Sequence, residues 1–164
     1  MNSGPLVPQT SALTRLRHAP RRTYAIRAIP ALCGSEAAIP FDLVIELDNE
    51  SGALARVATA ISDAGVNLAA ATCLGKGDRV ELHILVPHAE AARHALTLSQ
   101  LAVTREREVV VVDVEDRPGV LADLTRTIAR AGVDLDLVYV ATRNRIVFGA
   151  EDLAGLKAAL GAAD

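Results

Sequence analysis

The sequence repeats itself, and the repeat dictates what the chain can fold into. Placing Gly52 over Gly119, an offset of 67, brings Leu54, Ala55, Ile61, Ala64, Gly65, Val66 and Leu68 onto Leu121, Ala122, Ile128, Ala131, Gly132, Val133 and Leu135. Each copy opens with a period-2 strand, Leu43, Ile45 and Leu47 on one face in the first and Val110, Val112 and Val114 in the second. An amphipathic helix follows in each. Its apolar stripe is Leu54, Val57, Ile61 and Ala64, repeated as Leu121, Leu124, Ile128 and Ala131, and Gly65 and Gly132 end the two helices as left-handed caps.

The next strands are expected at Val66 to Cys73 and Val133 to Val140. They return as Val80 to Val86 and Ile146 to Ala150, after turns at Gly75 to Asp78 and Arg143 to Asn144. A second helix is predicted from Pro87 to Leu98 and from Asp152 to Ala162, and Leu101 to Arg105 supplies a fourth strand to the first copy. The order β-α-β-β-α-β is the split-βαβ pattern of an α+β, ferredoxin-like sandwich with both helices on one sheet face. The second copy reaches Asp164 without a fourth strand of its own, which leaves Val109 to Val114 as an apolar edge to be covered by the N-terminal segment, the first copy or a second chain. The organisation is therefore an N-terminal extension at 1–40, a first unit at 41–106 and a second unit at 107–164.

Residues 1–40 hold five prolines and five arginines against the single acid Glu36. Three readings stand for them: a flexible extension, a transit peptide, or a strand at Thr23 to Ile29 docking on the body. The remaining residues carry 12 basic and 19 acidic side chains, an excess of acid that argues against a phosphate-backbone partner. Aromatics are 2% of the chain and tryptophan is absent, so stacking platforms for bases are excluded and the core is aliphatic. Charges interrupt every apolar run short of a membrane span, and the expectation is a soluble, cytoplasmic protein without a membrane partner. Two cysteines, Cys33 and Cys73, cannot frame a disulfide scaffold, and His88 and His94 at a six-residue spacing fall on different helix faces, so no metal or cofactor is expected.

The segment Asp116-Arg117-Pro118-Gly119-Val120-Leu121, its amphipathic helix, and Ala131-Gly132-Val133-Asp134-Leu135 resemble the ACT domain, a small-molecule sensing module of amino-acid metabolism. Asn49-Glu50-Ser51-Gly52-Ala53-Leu54 with Ala64-Gly65-Val66-Asn67-Leu68 resembles it equally, so the likeness spans residues 41–164. The resemblance implies a regulatory protein that binds an amino acid where two such units meet, through the loop between first strand and first helix. Elementary chemistry agrees: free N–H groups and the positive dipole end of a helix suit an α-carboxylate, and glycine allows close approach.

The candidate ligand contacts are thus Ser51, Gly52, Ala53, Leu54 and Leu68 in the first copy and Gly119, Val120 and Leu121 in the second. Asn49 and Asn67 match two asparagines that contact the effector in the serine-regulated phosphoglycerate dehydrogenases. Leu47 departs from that pattern, where those proteins have histidine, which leaves the effector open. As a strand residue opposite Val66, Leu68 and Ala70, Asn67 would point away from the helices, toward a partner unit. The second copy has Asp116 and Asp134 at the two asparagine positions; these would draw a ligand's ammonium, or serve only as helix-start and surface groups. The first copy is the preferred site. Ala69, Ala71, Cys73, Glu81, His83 and Leu85 are expected on the outward face of the first sheet, where small and apolar residues call for another sheet to pack. His83 reads there as an ordinary exposed histidine, the alternative being an interfacial group that titrates.

No nucleophile elbow, phosphate-cradling loop or clustered histidine and carboxylate motif is present, so the expectation is a regulator and not an enzyme. The leading reading is an allosteric amino-acid-binding protein that forms a homodimer and acts on a metabolic enzyme or regulator. The alternative is a ligand-free module for oligomerisation.

Overall fold

The computed structural model describes residues 40–161. The proposed strand at Thr23 to Ile29 and Cys33 lie outside the described residues. The chain builds β1 (Phe41–Asp48), α1 (Ala53–Asp63), β2 (Ala70–Lys76), β3 (Arg79–Val86), α2 (Ala89–Leu98) and β4 (Val103–Glu108). It continues through β5 (Val110–Asp113), α3 (Val120–Arg130), β6 (Leu137–Ala141), β7 (Arg145–Gly149) and α4 (Leu153–Leu160). Two antiparallel sheets result, ordered β2-β3-β1-β4 and β5-β7-β6, which is the expected α+β, βαββαβ-like architecture, the second sheet having three strands among the described residues.

Each sheet buries one face under its own two helices. Leu43, Ile45, Leu47, Leu82 and Ile84 pack on Val57, Ile61, Ala92 and Leu96 in the first, and Val110, Val112, Ile146 and Phe148 on Leu124, Ile128, Leu156 and Leu160 in the second. The helix stripes differ from expectation at their ends. Leu54 and Leu121 are exposed, as are Ala64 and Ala131, and α1 instead buries Ala53 and Ala60 beside Val57 and Ile61. Small alanines let α1 lie close to the sheet, so the burying face turns away from Leu54.

The fourth strand of the first sheet runs from Val103 to Glu108, not from Leu101. Gln100 adopts φ 57°, the Leu101 N–H closes α2 by donating to the Leu96 carbonyl at 2.9 Å, and only then does the chain extend. The second and sixth strands also begin four residues later than expected, at Ala70 and Leu137. Val66 and Leu68 still pack on the first core, and Leu135 on the second, but ahead of the ladder. A bend at Ala69 then resets the alternation. Ala70 pairs with Leu85 and Thr72 with His83 on the outward face, whereas Ala71 and Cys73, opposite Ile84 and Leu82, lie on the helix side of the sheet.

The outward faces of the two sheets pack on each other. Ala69, Ala70 and Leu85 of the first meet Val109, Val111, Tyr139, Ala141 and Val147 of the second, and the Thr142 N–H donates to the Ala69 carbonyl at 3.0 Å. His83 sits inside this contact, 2% exposed, so it is a buried group and not a surface histidine. The apolar face of β5 is covered in this way. Along its edges, the Val114 N–H donates to Asn144 in the turn before β7 and the Val109 N–H to the Pro40 carbonyl, and β5 pairs with no strand but β7 among the described residues.

Candidate functional site

The two loops that lead from first strand to first helix are built alike. Gly52 has φ 93° and ψ −9°, and Gly119 has φ 91° and ψ −6°, each at the position just before its helix. A Cβ at either would meet nothing within 4 Å, so glycine is required by conformation and not by crowding. Gly119→Ala should therefore cost about 1–2 kcal/mol, the penalty of a left-handed L-residue, measured as a shift of the urea midpoint at unchanged slope. No side chain caps either helix, although in the first loop the Ala53 N–H donates to the Glu50 carbonyl at 3.3 Å.

In the first loop Asn49 is exposed, and its N–H donates to the Asp78 carbonyl at 2.8 Å while its Nδ2 donates to the Gly77 carbonyl at 3.1 Å. The amide therefore braces the β2–β3 turn. Ser51, Gly52 and Leu54 are exposed, Ala53 is buried, and Glu50 pairs with Arg56 at 3.4 Å. Asn67 is exposed and Leu68 half-buried in the segment before β2, so Asn67 is not a strand residue turned to the opposite face, as the alternation had implied. Asp134 holds the matching exposed position before β6, and Asp116 is exposed in the second loop.

That second loop borders an open cavity of about 520 Å³ lined by Arg117, Gly119, Val120, Leu121, Ala122 and Thr125. Leu121, 44% exposed, supplies an apolar wall. Arg117 supplies the charge: its guanidinium contacts Asp123 at 3.2 Å, the Pro118 carbonyl at 3.3 Å and Glu115 at 3.6 Å. Arg126 and then Arg117 hold the Asp123 carboxyl below the usual carboxylate range, so it remains ionised. Arg117 thus stands beside the first turn of α3, paired with acids of its own loop and helix. The sequence reading had not singled out Arg117, although its place between Asp116 and Gly119 was the available signal.

His88 is the N-cap residue of α2, without a side-chain cap hydrogen bond, and lines an open depression of about 700 Å³ together with Arg93 and His94. No cluster of three or more histidine, cysteine or acidic side chains able to hold a metal occurs among the described residues. No described helix is long and apolar enough to cross a membrane.

Residues 109–162 match the ACT domain. This segment starts with β5, contains the Gly119 loop and its cavity, and reaches past α4. Among solved structures, a protein of Bacteroides thetaiotaomicron superposes with a TM-score of 0.67 at 26% identity, covering 74% of this chain and 85% of its own. The regulatory subunit of aspartate kinase from Thermus thermophilus gives 0.53 at 20% identity, covering 76% and 91%, and that from Thermus flavus 0.56 at 19%, covering 74% and 90%. These coverages extend well beyond the ACT match, and the two kinase subunits establish likeness of fold. No curated protein sequence matches the chain.

Proposed function

We propose that the chain is a non-catalytic regulatory protein made of two ACT units, 41–106 and 107–164, that binds an amino acid through the Gly52 and Gly119 loops where units meet. The observation that carries this reading is the congruence of the two loops, each with a left-handed glycine ahead of an uncapped helix, one of them inside the segment that matches the ACT domain. The cavity at Arg117 and Leu121 supports the second loop as a site at least equal to the first: the N–H groups and guanidinium suit an α-carboxylate, and Leu121 an apolar side chain. In the first loop the Asn49 carboxamide oxygen and Asn67 supply polar contacts for an ammonium. Asp116 and Asp134 would do so in the second.

The mechanism is linkage. A ligand shared between units stabilises the arrangement that completes its site, by its difference in affinity for the two arrangements, and a partner enzyme or regulator reads the change. The homodimer belongs to this reading, and so does a cytoplasmic setting. The test is thermal unfolding of the full chain against each of the twenty amino acids. At a hundred dissociation constants of ligand, about 2.7 kcal/mol of added stability is expected, lost in Leu121→Arg if the second loop binds and in Asn67→Ala if the first does.

A second reading, self-association without ligand, is favoured by Val138 and Val140, 41% and 72% exposed on the edge strand β6. Under it, Val140→Arg abolishes association and no amino acid moves the unfolding transition.

A further inference from the structure

Beside the hydrogen bonds of Thr142 to the Ala69 carbonyl, a chain of polar side chains crosses the otherwise apolar contact between the two sheets. Asp42 on β1 is fully buried. Its Oδ2 lies 2.8 Å from His83 Nδ1 on β3, and its Oδ1 accepts from the Tyr139 hydroxyl of β6 at 2.8 Å. The other histidine nitrogen, Nε2, lies 3.1 Å from Glu81 Oε1, and Glu81 in turn accepts from Lys76 of β2 at 2.8 Å. Arg107 of β4 approaches Asp42 at 3.9 Å and donates to Asp136, just ahead of β6, at 2.6 Å. Gly149 makes room for it, because a Cβ there would lie 3.0 Å from the guanidinium.

Both ring nitrogens of His83 thus face carboxylate oxygens. An ionised carboxylate only accepts hydrogen bonds, so with both acids ionised the species that satisfies the geometry is the imidazolium, protonated on both nitrogens. With it, the three acids Asp42, Glu81 and Asp136 balance the three bases His83, Lys76 and Arg107. Without it, a ring lone pair faces a carboxylate oxygen and the cluster holds an unbalanced negative charge. We propose that His83 is a proton-operated latch between the sheets: as an imidazolium it holds Asp42, and through Asp42 the Tyr139 of the second sheet, and its deprotonation loosens the sheet–sheet contact. Because any ligand that acts by rearranging the two units must work against this contact, the latch makes that response depend on pH.

The hydrogen bond to Asp42 raises the His83 pKa above its ordinary value of 6.5 against the opposing effect of burial, with Glu81 adding to the rise. A histidine raised on folding contributes its full stabilisation below 6.5 and loses it as pH climbs through the folded value. Lys76, then His83, hold Glu81 down at about 2, so Glu81 stays ionised throughout that window.

The experiment is a pH titration of the full chain, following the His83 side-chain nitrogens by NMR and amide-exchange protection in Val109–Val111 and Tyr139–Ala141. We expect an imidazolium with both nitrogens protonated and a midpoint above 6.5. Protection should fall across that midpoint by up to about tenfold for each pH unit of the rise. His83→Gln should abolish the pH dependence. Should that variant fail to fold, Glu81→Gln, made at a partly exposed position, should move the His83 midpoint downward, and Tyr139 fluorescence in a Tyr24→Phe background should report the same transition. A midpoint at or below 6.5, or protection that is unchanged as His83 titrates, overturns the proposal.

Discussion

Asp42→Ala is expected to destabilise the chain by about 3–5 kcal/mol, a large part of the roughly 5–15 kcal/mol that holds a domain folded. The substitution removes no large apolar surface. It strips the acceptor from the buried Tyr139 hydroxyl and leaves the His83 imidazolium with Glu81 as its only close carboxylate. Burial and the neighbouring Asp42 charge hold the Tyr139 phenol above its ordinary range, so it stays a neutral donor and its lost partner is not replaced. Asp42→Asn keeps an acceptor for Tyr139 and should cost less than Asp42→Ala. Urea unfolding at pH 6 measures both. A loss below about 1 kcal/mol for Asp42→Ala would mean that the cluster rides passively on the apolar packing around it.

Phe148→Ala should cost a comparable amount, about 3–5 kcal/mol, by a different cause. Phe148 is the largest fully buried side chain, and β7 is the central strand of its sheet, so Phe148 touches both α3 and α4 layers of the second core. Truncation opens a cavity that neighbouring Leu156, Leu160 and Ile128 cannot close without moving their helices. The first core shares no residue with this one. Amide exchange should therefore accelerate most in α3, α4, β5 and β7, with β1 and β3 retaining greater protection. Uniform acceleration across both sheets would show that the sheet–sheet contact makes the two cores one cooperative unit.

Much of this was legible in the residues because it depends on local chemistry. Alternation placed Leu43, Ile45 and Leu47 and their counterparts Val110, Val112 and Val114 on the helix side, and the repeat assigned matching conformations to Gly52 and Gly119. The need for a cover on the outward sheet face was equally readable from Leu85 and Ala69, which are apolar where a free surface would be polar. What failed was phase and partnership. Val66, Leu68 and Leu135 alternate and pack like strand residues while standing outside the ladder, and the bend at Ala69 that separates them from β2 leaves no trace in an alanine-rich run. His83 looked ordinary because its partners are remote: Asp42 lies 41 residues away, and the tyrosine that completes the cluster is 97 residues from Asp42. A buried polar residue on an alternating strand reads the same as an exposed one until the opposite sheet is in place. The candidate ligand contacts divide similarly. The glycine loops were visible, whereas the bracing of Asn49 by Gly77 and the wall formed by Arg117 and Leu121 needed the three-dimensional arrangement.

The central claim is that an amino acid binds where a left-handed glycine opens each helix. Amide chemical-shift mapping of the full chain, titrated with each of the twenty amino acids, tests it most directly. The account predicts that at least one amino acid gives saturable shifts concentrated at Gly52–Ala55, Gly119–Ala122 or both, with the α2 surface around His88 and His94 unmoved. Saturable shifts confined to that α2 surface, or none with any amino acid, would contradict it.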